Sequence, residues 1–135
     1  MPSTTPRFGA PGERVRDTLV SAAPLLADWS WPYITLTGRE AGPQATIIAG
    51  IHGCEYVSIH AAMRLAAELD PATIRGRVLI VPIINLPAYH GRTPFVCPID
   101  GKNPNRVFPG DAAGTASEQL ADWVFRNIIS LAWKR

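Results

Sequence analysis

The sequence is short of the features that would place a chain quickly. Only two cysteines, Cys54 and Cys97, occur in 135 residues. That is too few for a disulfide framework and suits a reducing compartment, read here as the cytoplasm. No run of about 18 apolar residues exists to span a bilayer, so no membrane partner is expected. The net charge is only +2 and no block of Lys or Arg stands out, which leaves no electrostatic footprint for nucleic acid. There is no internal repeat. Residues 1–12 are rich in Pro, Ser, Thr and Gly, lack the apolar centre of a signal peptide, and are expected to form a flexible N-terminus. Against these absences stand 47% hydrophobic and 18% charged residues, the balance of a globular chain able to bury a core across residues 13–135.

The periodicities describe an α/β domain. Residues 30–37 hold Trp31, Tyr33, Ile34 and Leu36 with Thr35 and Thr37, a strand composition. Residues 38–43 read as a turn. Residues 45–49 form a short apolar run with β-branched members, expected as a strand covered on both faces. Val57, Ala61, Leu65 and Leu69 then recur every four positions, widened by Ile59, Met63 and Ala66, and Asp70-Pro71 closes this helix. Residues 77–85 read as a second buried strand, in which Pro82 points to a bulge or an edge. The order strand–helix–strand is a βαβ unit, with a parallel pair and a right-handed crossover. Residues 86–114 are dense in turn formers and read as a long functional loop. Thr115 and Glu118 fit a capping box, and Leu120, Val124, Ile128 and Leu131 give the helix over 116–131 its apolar face.

Two segments carry chemistry. Gly50-Ile51-His52-Gly53-Cys54-Glu55 follows a core strand and precedes a helix, the end of an open α/β sheet where ligands bind. An imidazole and a carboxylate three residues apart, between glycines that permit a tight bend, can turn to one point and hold a metal ion. The same spacing is also common among surface pairs that hold nothing. The second segment contains Asn105 and Arg106 in a loop rich in Pro and Gly. A planar guanidinium with an amide beside it suits a carboxylate, though Arg106 could equally lay its stem over Phe108.

Taken together, His52-Gly53-Cys54-Glu55 and, about 50 residues on, Asn105-Arg106-Val107-Phe108-Pro109-Gly110 resemble the aspartoacylase/succinylglutamate desuccinylase branch of the zinc carboxypeptidase superfamily. The approach from Pro98 to Asn103 resembles it too. The resemblance covers residues 30–131. It implies a three-layer α/β sandwich with a mixed, largely parallel sheet. It implies Zn²⁺ as cofactor, with His52 and Glu55 as two of three protein ligands. Asn105 and Arg106 would hold the carboxylate of a small N-acyl amino acid or related acyl amide, and Arg92 would polarise the scissile carbonyl. The implied activity is zinc-dependent amide hydrolysis.

The sequence also departs from the pattern. Asn103-Pro104 stand where the family usually has Asp-Leu. The third ligand, a His in an Asp-x-His segment, and the general-base Glu are expected after the last helix, and neither occurs before Arg135. The expectation is therefore an incomplete, truncated hydrolase-like domain, inactive by itself and completed by a missing C-terminal half or an oligomer. The alternative is a remnant that binds a carboxylate ligand or a partner chain without metal. His60, two turns into its helix, should point away from the site, and His90 is a poor substitute ligand. Cys54 and Cys97 read as structural, and Trp29, Trp31, Trp123 and Trp133 show no stacking platform, with Trp123 expected on the sheet or at its margin.

Overall fold

The structure is a computed structural model that describes residues 3–132. Met1, Pro2 and the stretch 133–135, which includes Trp133 and the ends of both segments assigned above, lie outside the described residues. Four strands, β1 (Arg14–Val20), β2 (Ser30–Thr37), β3 (Glu40–Ile48) and β4 (Arg75–Val81), form one sheet in the order β1-β2-β4-β3. Three α-helices, α1 (Tyr56–Glu68), α2 (Leu86–Gly91) and α3 (Ala116–Asn127), cover it.

The period of two along β2 and β4 builds the layers. Trp31, Tyr33, Leu79 and Val81 face one side, where they meet Leu120, Trp123, Val124 and Ile128 of α3 and the turn after it. Leu36 and Ile80 face the other side, against Ala62 and Ala66 of α1. The result is a sheet between helical layers, as the resemblance implies. Trp123 joins the core, its ring 4.3 Å from that of Trp31, and Trp31 Nε1–H donates to the carbonyl of Ile84 at 2.7 Å.

The sheet is mixed, as expected, but the balance of its pairings differs from the largely parallel arrangement. β1 with β2 and β2 with β4 are antiparallel; only β3 with β4 is parallel. The reason lies in the connections. A parallel pair needs a long crossover, and among these strands only β3 and β4 have one, through α1. The two residues between β2 and β3 instead carry the chain past the start of β4, so that β4 lies between them.

That crossing point is tight. Gly38 N–H donates to the carbonyl of Gly76 at 2.8 Å, and β3 makes a register break between Glu40 and Gln44 as it passes Arg75. β3 consequently lies at the edge, and residues 45–49 are partly open rather than covered on both faces. β4 is the central strand, and Pro82 falls just beyond its end, where a missing N–H breaks no ladder.

Helix α1 also turns a different face to the sheet. Ile59, Ala62 and Ala66 are buried, whereas Val57 is 86% exposed and Met63 and Leu65 face outward. The helix carries two apolar stripes, and the small side chains of Ala62 and Ala66 allow the closer approach. Residues 3–12, read from composition as flexible, make specific bonds: Arg7 N–H donates to the Tyr33 hydroxyl at 2.9 Å, and the Arg7 carbonyl accepts from Thr35 Oγ1 at 2.8 Å.

The expected long loop contains α2, which the turn-former count concealed. Its signals are Asn85 as N-cap, accepting from Ala88 N–H at 3.2 Å, and Pro87 in the first turn. The loop is then fastened to α3 by Asp100, which accepts from Ser117 N–H at 2.7 Å, Ser117 Oγ at 2.8 Å and Lys102 N–H at 3.0 Å. Burial by itself would raise the Asp100 carboxyl, but these hydrogen bonds outweigh it and hold the group below its ordinary value.

A depressed carboxyl stabilises the fold fully above its unfolded pKa, near ~3.9, and the contribution is lost as pH falls through the folded value. Asp100→Ala is accordingly expected to cost about 1–2 kcal/mol at neutral pH. The gap to wild type in urea unfolding should close as the solution is acidified below that range.

Candidate metal centre

The chain leaves β3 at Ile48 and bends through Gly50, whose φ is +65°. The bend is bolted to the end of β4: Ile84 N–H donates to the Ala49 carbonyl and Asn85 N–H to the Gly50 carbonyl, both at 2.9 Å. Asn85, fully buried, adds a bond from Nδ2 to the Ile51 carbonyl at 3.2 Å. This residue was not singled out in the sequence; its place three residues before Ala88 is the N-cap signal that could have found it. Gly53 has no room for a side chain, since a Cβ there would lie 2.6 Å from the Ala88 carbonyl and from the Thr93 oxygen. The glycines thus serve the loop in two ways, one by conformation and the other by close packing.

On this frame His52 and Glu55 converge. His52 Nδ1 lies 2.7 Å from Glu55 Oε1, and His52 N–H points to Glu55 Oε2 at 3.4 Å. The His52 side chain is 13% exposed and that of Glu55 36%, so the pair is anchored yet open to a ligand. The Phe95 ring stands edge-on to His52, 5.6 Å between centroids.

The other ring nitrogen, Nε2, is 3.0 Å from Asn103 Oδ1. That same oxygen accepts the Asn105 backbone N–H at 3.0 Å. A backbone N–H can only donate, so the amide oxygen must face it, and Nε2 must then be the donor towards that oxygen. Nδ1 and the Glu55 carboxylate are left facing each other with a proton or a cation required between them. Asn103 entered the sequence reading as the end of the family-like approach and as a departure from Asp-Leu, but not as a contact to His52.

The donor set bears on which group fits here. Two ligands about 2.1 Å from a tetrahedral zinc ion lie about 3.4 Å apart, so Nδ1 and Oε1 would open by about 0.7 Å to admit one. Nitrogen and carboxylate oxygen are both suitable donors. A third is absent: among the described residues no group of three His, Cys, Asp or Glu side chains is placed to hold a metal ion. His60 is exposed on α1, and His90 is exposed and stacks on Trp29 at 5.9 Å.

The remaining sequence candidates occupy the rim. Asn105 and Arg106 lie in a 3-10 turn, Pro104–Arg106, that the Asn103 side chain caps and brings against His52; both are exposed. Arg106 Nη1 donates to the Asn105 carbonyl at 3.4 Å. Arg92 follows α2 in the left-handed conformation, φ 54°, and with Tyr56, Tyr89 and His90 lines a cleft of about 390 Å³. Tyr56, in the lining of this cleft, directly follows Glu55 in the chain. Neither Arg92 nor Arg106 forms an ion pair among the described residues. Cys97 is buried, and burial pushes its thiol up, which suits a structural role.

Fold and site together define a mixed α/β protein with a two-donor candidate metal centre at the end of a parallel strand. The chain belongs to the succinylglutamate desuccinylase/aspartoacylase family: the model of the Succinylglutamate desuccinylase/Aspartoacylase catalytic domain matches residues 41–132. The chain is 40% identical over 100 residues to the N-alpha-acetyl-L-2,4-diaminobutyric acid deacetylase of Halomonas elongata, a match covering 73% of this chain and 29% of the relative.

Among solved structures it resembles the succinylglutamate desuccinylase/aspartoacylase of Rhodobacter sphaeroides, with TM-score 0.76 and 29% identity over 96% of this chain and 42% of that one. It also resembles the product-bound ectoine utilization protein EutE (DoeB) of Ruegeria pomeroyi, with TM-score 0.75 and 32% identity over 96% of this chain and 40% of that one. The chain therefore spans well under half the length of these relatives. No helix among the described residues is long and apolar enough to cross a membrane.

Proposed function

We propose that this chain forms the part of a zinc-dependent deacylase that carries two metal ligands and the anion-binding loop, acting on a small N-acyl amino acid or related acyl amide. The observation that supports it is the confrontation of His52 Nδ1 with Glu55 Oε1 at 2.7 Å, beside a partner that claims the proton on Nε2. Family membership and the deacetylase relative support the reaction class. The two free thiols suit a reducing, cytoplasmic setting.

His52 and Glu55 would hold the ion, with the third donor and the general base coming from outside the described residues. A zinc ion so held supplies a bound water whose pKa falls towards ~7. Arg106, with Asn105, would fix the substrate carboxylate and so orient the scissile bond over the donor pair. Arg92, from the cleft it lines with Tyr56, would polarise the carbonyl as negative charge gathers on its oxygen. With only two donors in place, the chain by itself is expected to hydrolyse N-acetyl or N-succinyl amino acids at no measurable rate.

The test is zinc content after dialysis of the purified chain, together with binding of succinate by calorimetry. The reading expects zinc to be retained and Arg106→Ala to weaken succinate about 10–100-fold, the cost of a charged hydrogen-bonded partner. Arg106→Lys should recover only part of that loss, because an ammonium lacks the planar fork. Succinate bound through Arg106 with no zinc retained would point instead to a remnant that binds carboxylates without metal.

A further inference from the structure

We propose that the cavity where β3 and β4 begin is a second anion site, in which Arg77, flanked by Thr37 and Gln44, takes the oxyanion of a small carboxylate or phosphate. The cavity has a volume of about 670 Å³, the size of a small-molecule pocket. It lies at the opposite end of β3 from the loop that carries His52 and Glu55, and it is independent of the metal-binding reading above.

The register of the sheet builds the site. Thr37 of β2 and Gln44 of β3 both pair with Arg77 of β4, one on each side. Paired residues point to the same face of a sheet, so hydroxyl, guanidinium and amide form one row. Arg77 has the parity of Leu79 and Val81, which places the row on the side that packs against α3.

The row is short of partners. Thr37 is 7% exposed, yet its Oγ1 meets no hydrogen-bond partner, and neither does the enclosed Nε2 of Gln44. Orphaned groups of this kind are uncommon and destabilising unless an occupant satisfies them. Arg77 is exposed, lies 5.1 Å over the Phe8 ring, and makes no ion pair among the described residues. Arg39 stands on the rim, and Glu40, the acid in the lining, is engaged by Arg75 at 3.2 Å. Donors thus face the cavity without a free carboxylate to meet them. A guanidinium takes an oxyanion through two parallel N–H groups, and the stack on Phe8 restrains the plane of that fork.

The experiment titrates the full chain with inorganic phosphate and, separately, with succinate, followed by ¹H–¹⁵N NMR. Saturable shifts are expected at the backbone amides of Gly38, Gln44 and Gly76, and the tighter probe identifies the oxyanion. Arg77→Ala should weaken that binding about 10–100-fold, and Arg77→Lys should recover only part. Thr37→Val keeps the shape and removes the orphaned hydroxyl. It should leave stability in urea unchanged or raised, while weakening the anion about 2–10-fold. Arg106→Ala should leave these shifts as they are, which separates this site from succinate held by the other loop. No saturable shift at these amides with either probe, or wild-type affinity in both Arg77→Ala and Thr37→Val, would overturn the proposal.

Discussion

Gly76→Ala is expected to destabilise the chain by about 2–6 kcal/mol, a large part of the ~5–15 kcal/mol that holds a domain of this size. Gly76 sits in the central strand with φ +79°, and an added Cβ would lie 1.9 Å from the Pro43 carbonyl oxygen and 2.6 Å from the Gly42 carbonyl carbon. Left-handed backbone strain accounts for about 1–3 kcal/mol and overpacking for a similar amount. No side chain can yield, because the obstructing atoms are backbone of β3 as it crosses β4. Gly101→Ala is the control: it has a similar φ of +70° but nothing within 4 Å, so only the conformational cost of about 1–2 kcal/mol should appear. Urea unfolding monitored by Trp31 and Trp123 fluorescence compares the two. Equal losses would mean the crossing is looser than described.

His52→Ala should have the opposite profile: little effect on folding and a large one on metal. The His52 side chain is partly open and its ring meets Phe95, itself 59% exposed, so the fold should lose no more than about 1 kcal/mol. Zinc affinity should fall by more than the roughly 10–100-fold expected for removing an orienting partner, because a direct donor is lost. Glu55 would remain as a lone carboxylate, a poor site for zinc. Equilibrium dialysis against zinc, with circular dichroism to follow the fold, separates the two effects. Equal zinc uptake by wild type and His52→Ala would remove imidazole from the centre.

Much of the fold could be read in advance where local chemistry was decisive. β2 runs from Ser30 to Thr37 as its composition requires, and α1 begins and ends within a residue of its periodic stretch. At α3, Glu118 accepts Thr115 N–H at 2.8 Å, the carboxylate half of the box seen in the sequence. What could not be read depends on distant partners. Val57, Ala61 and Leu65 make as good a stripe as Ile59, Ala62 and Ala66; only the sheet surface chooses between them. The edge position of β3 follows from a two-residue link that passes β4, and no periodicity encodes that. Asn85 and α2 were hidden because Asn85 was read as the end of the strand and Pro87 as a loop former, although both residue types also start helices.

At the site, the local pair could be anticipated and the long-range contact could not. His52 and Glu55 are three residues apart on a bend, so their convergence follows from the chain itself. Asn103 reaches His52 across 51 residues, and the sequence showed it only as a neighbour of Asn105 and Arg106, with nothing to link it to His52. That contact is nevertheless what brings the two motifs together, by placing the turn Pro104–Arg106 against the loop that carries His52 and Glu55.

The most direct measurement is a crystal of the chain soaked in zinc, with the ion located by anomalous scattering. The account predicts one peak about 2.0–2.1 Å from His52 Nδ1 and about 2.0–2.2 Å from a Glu55 carboxylate oxygen, with Nε2 still bonded to Asn103. A peak on Nε2, or none between His52 and Glu55, would contradict it.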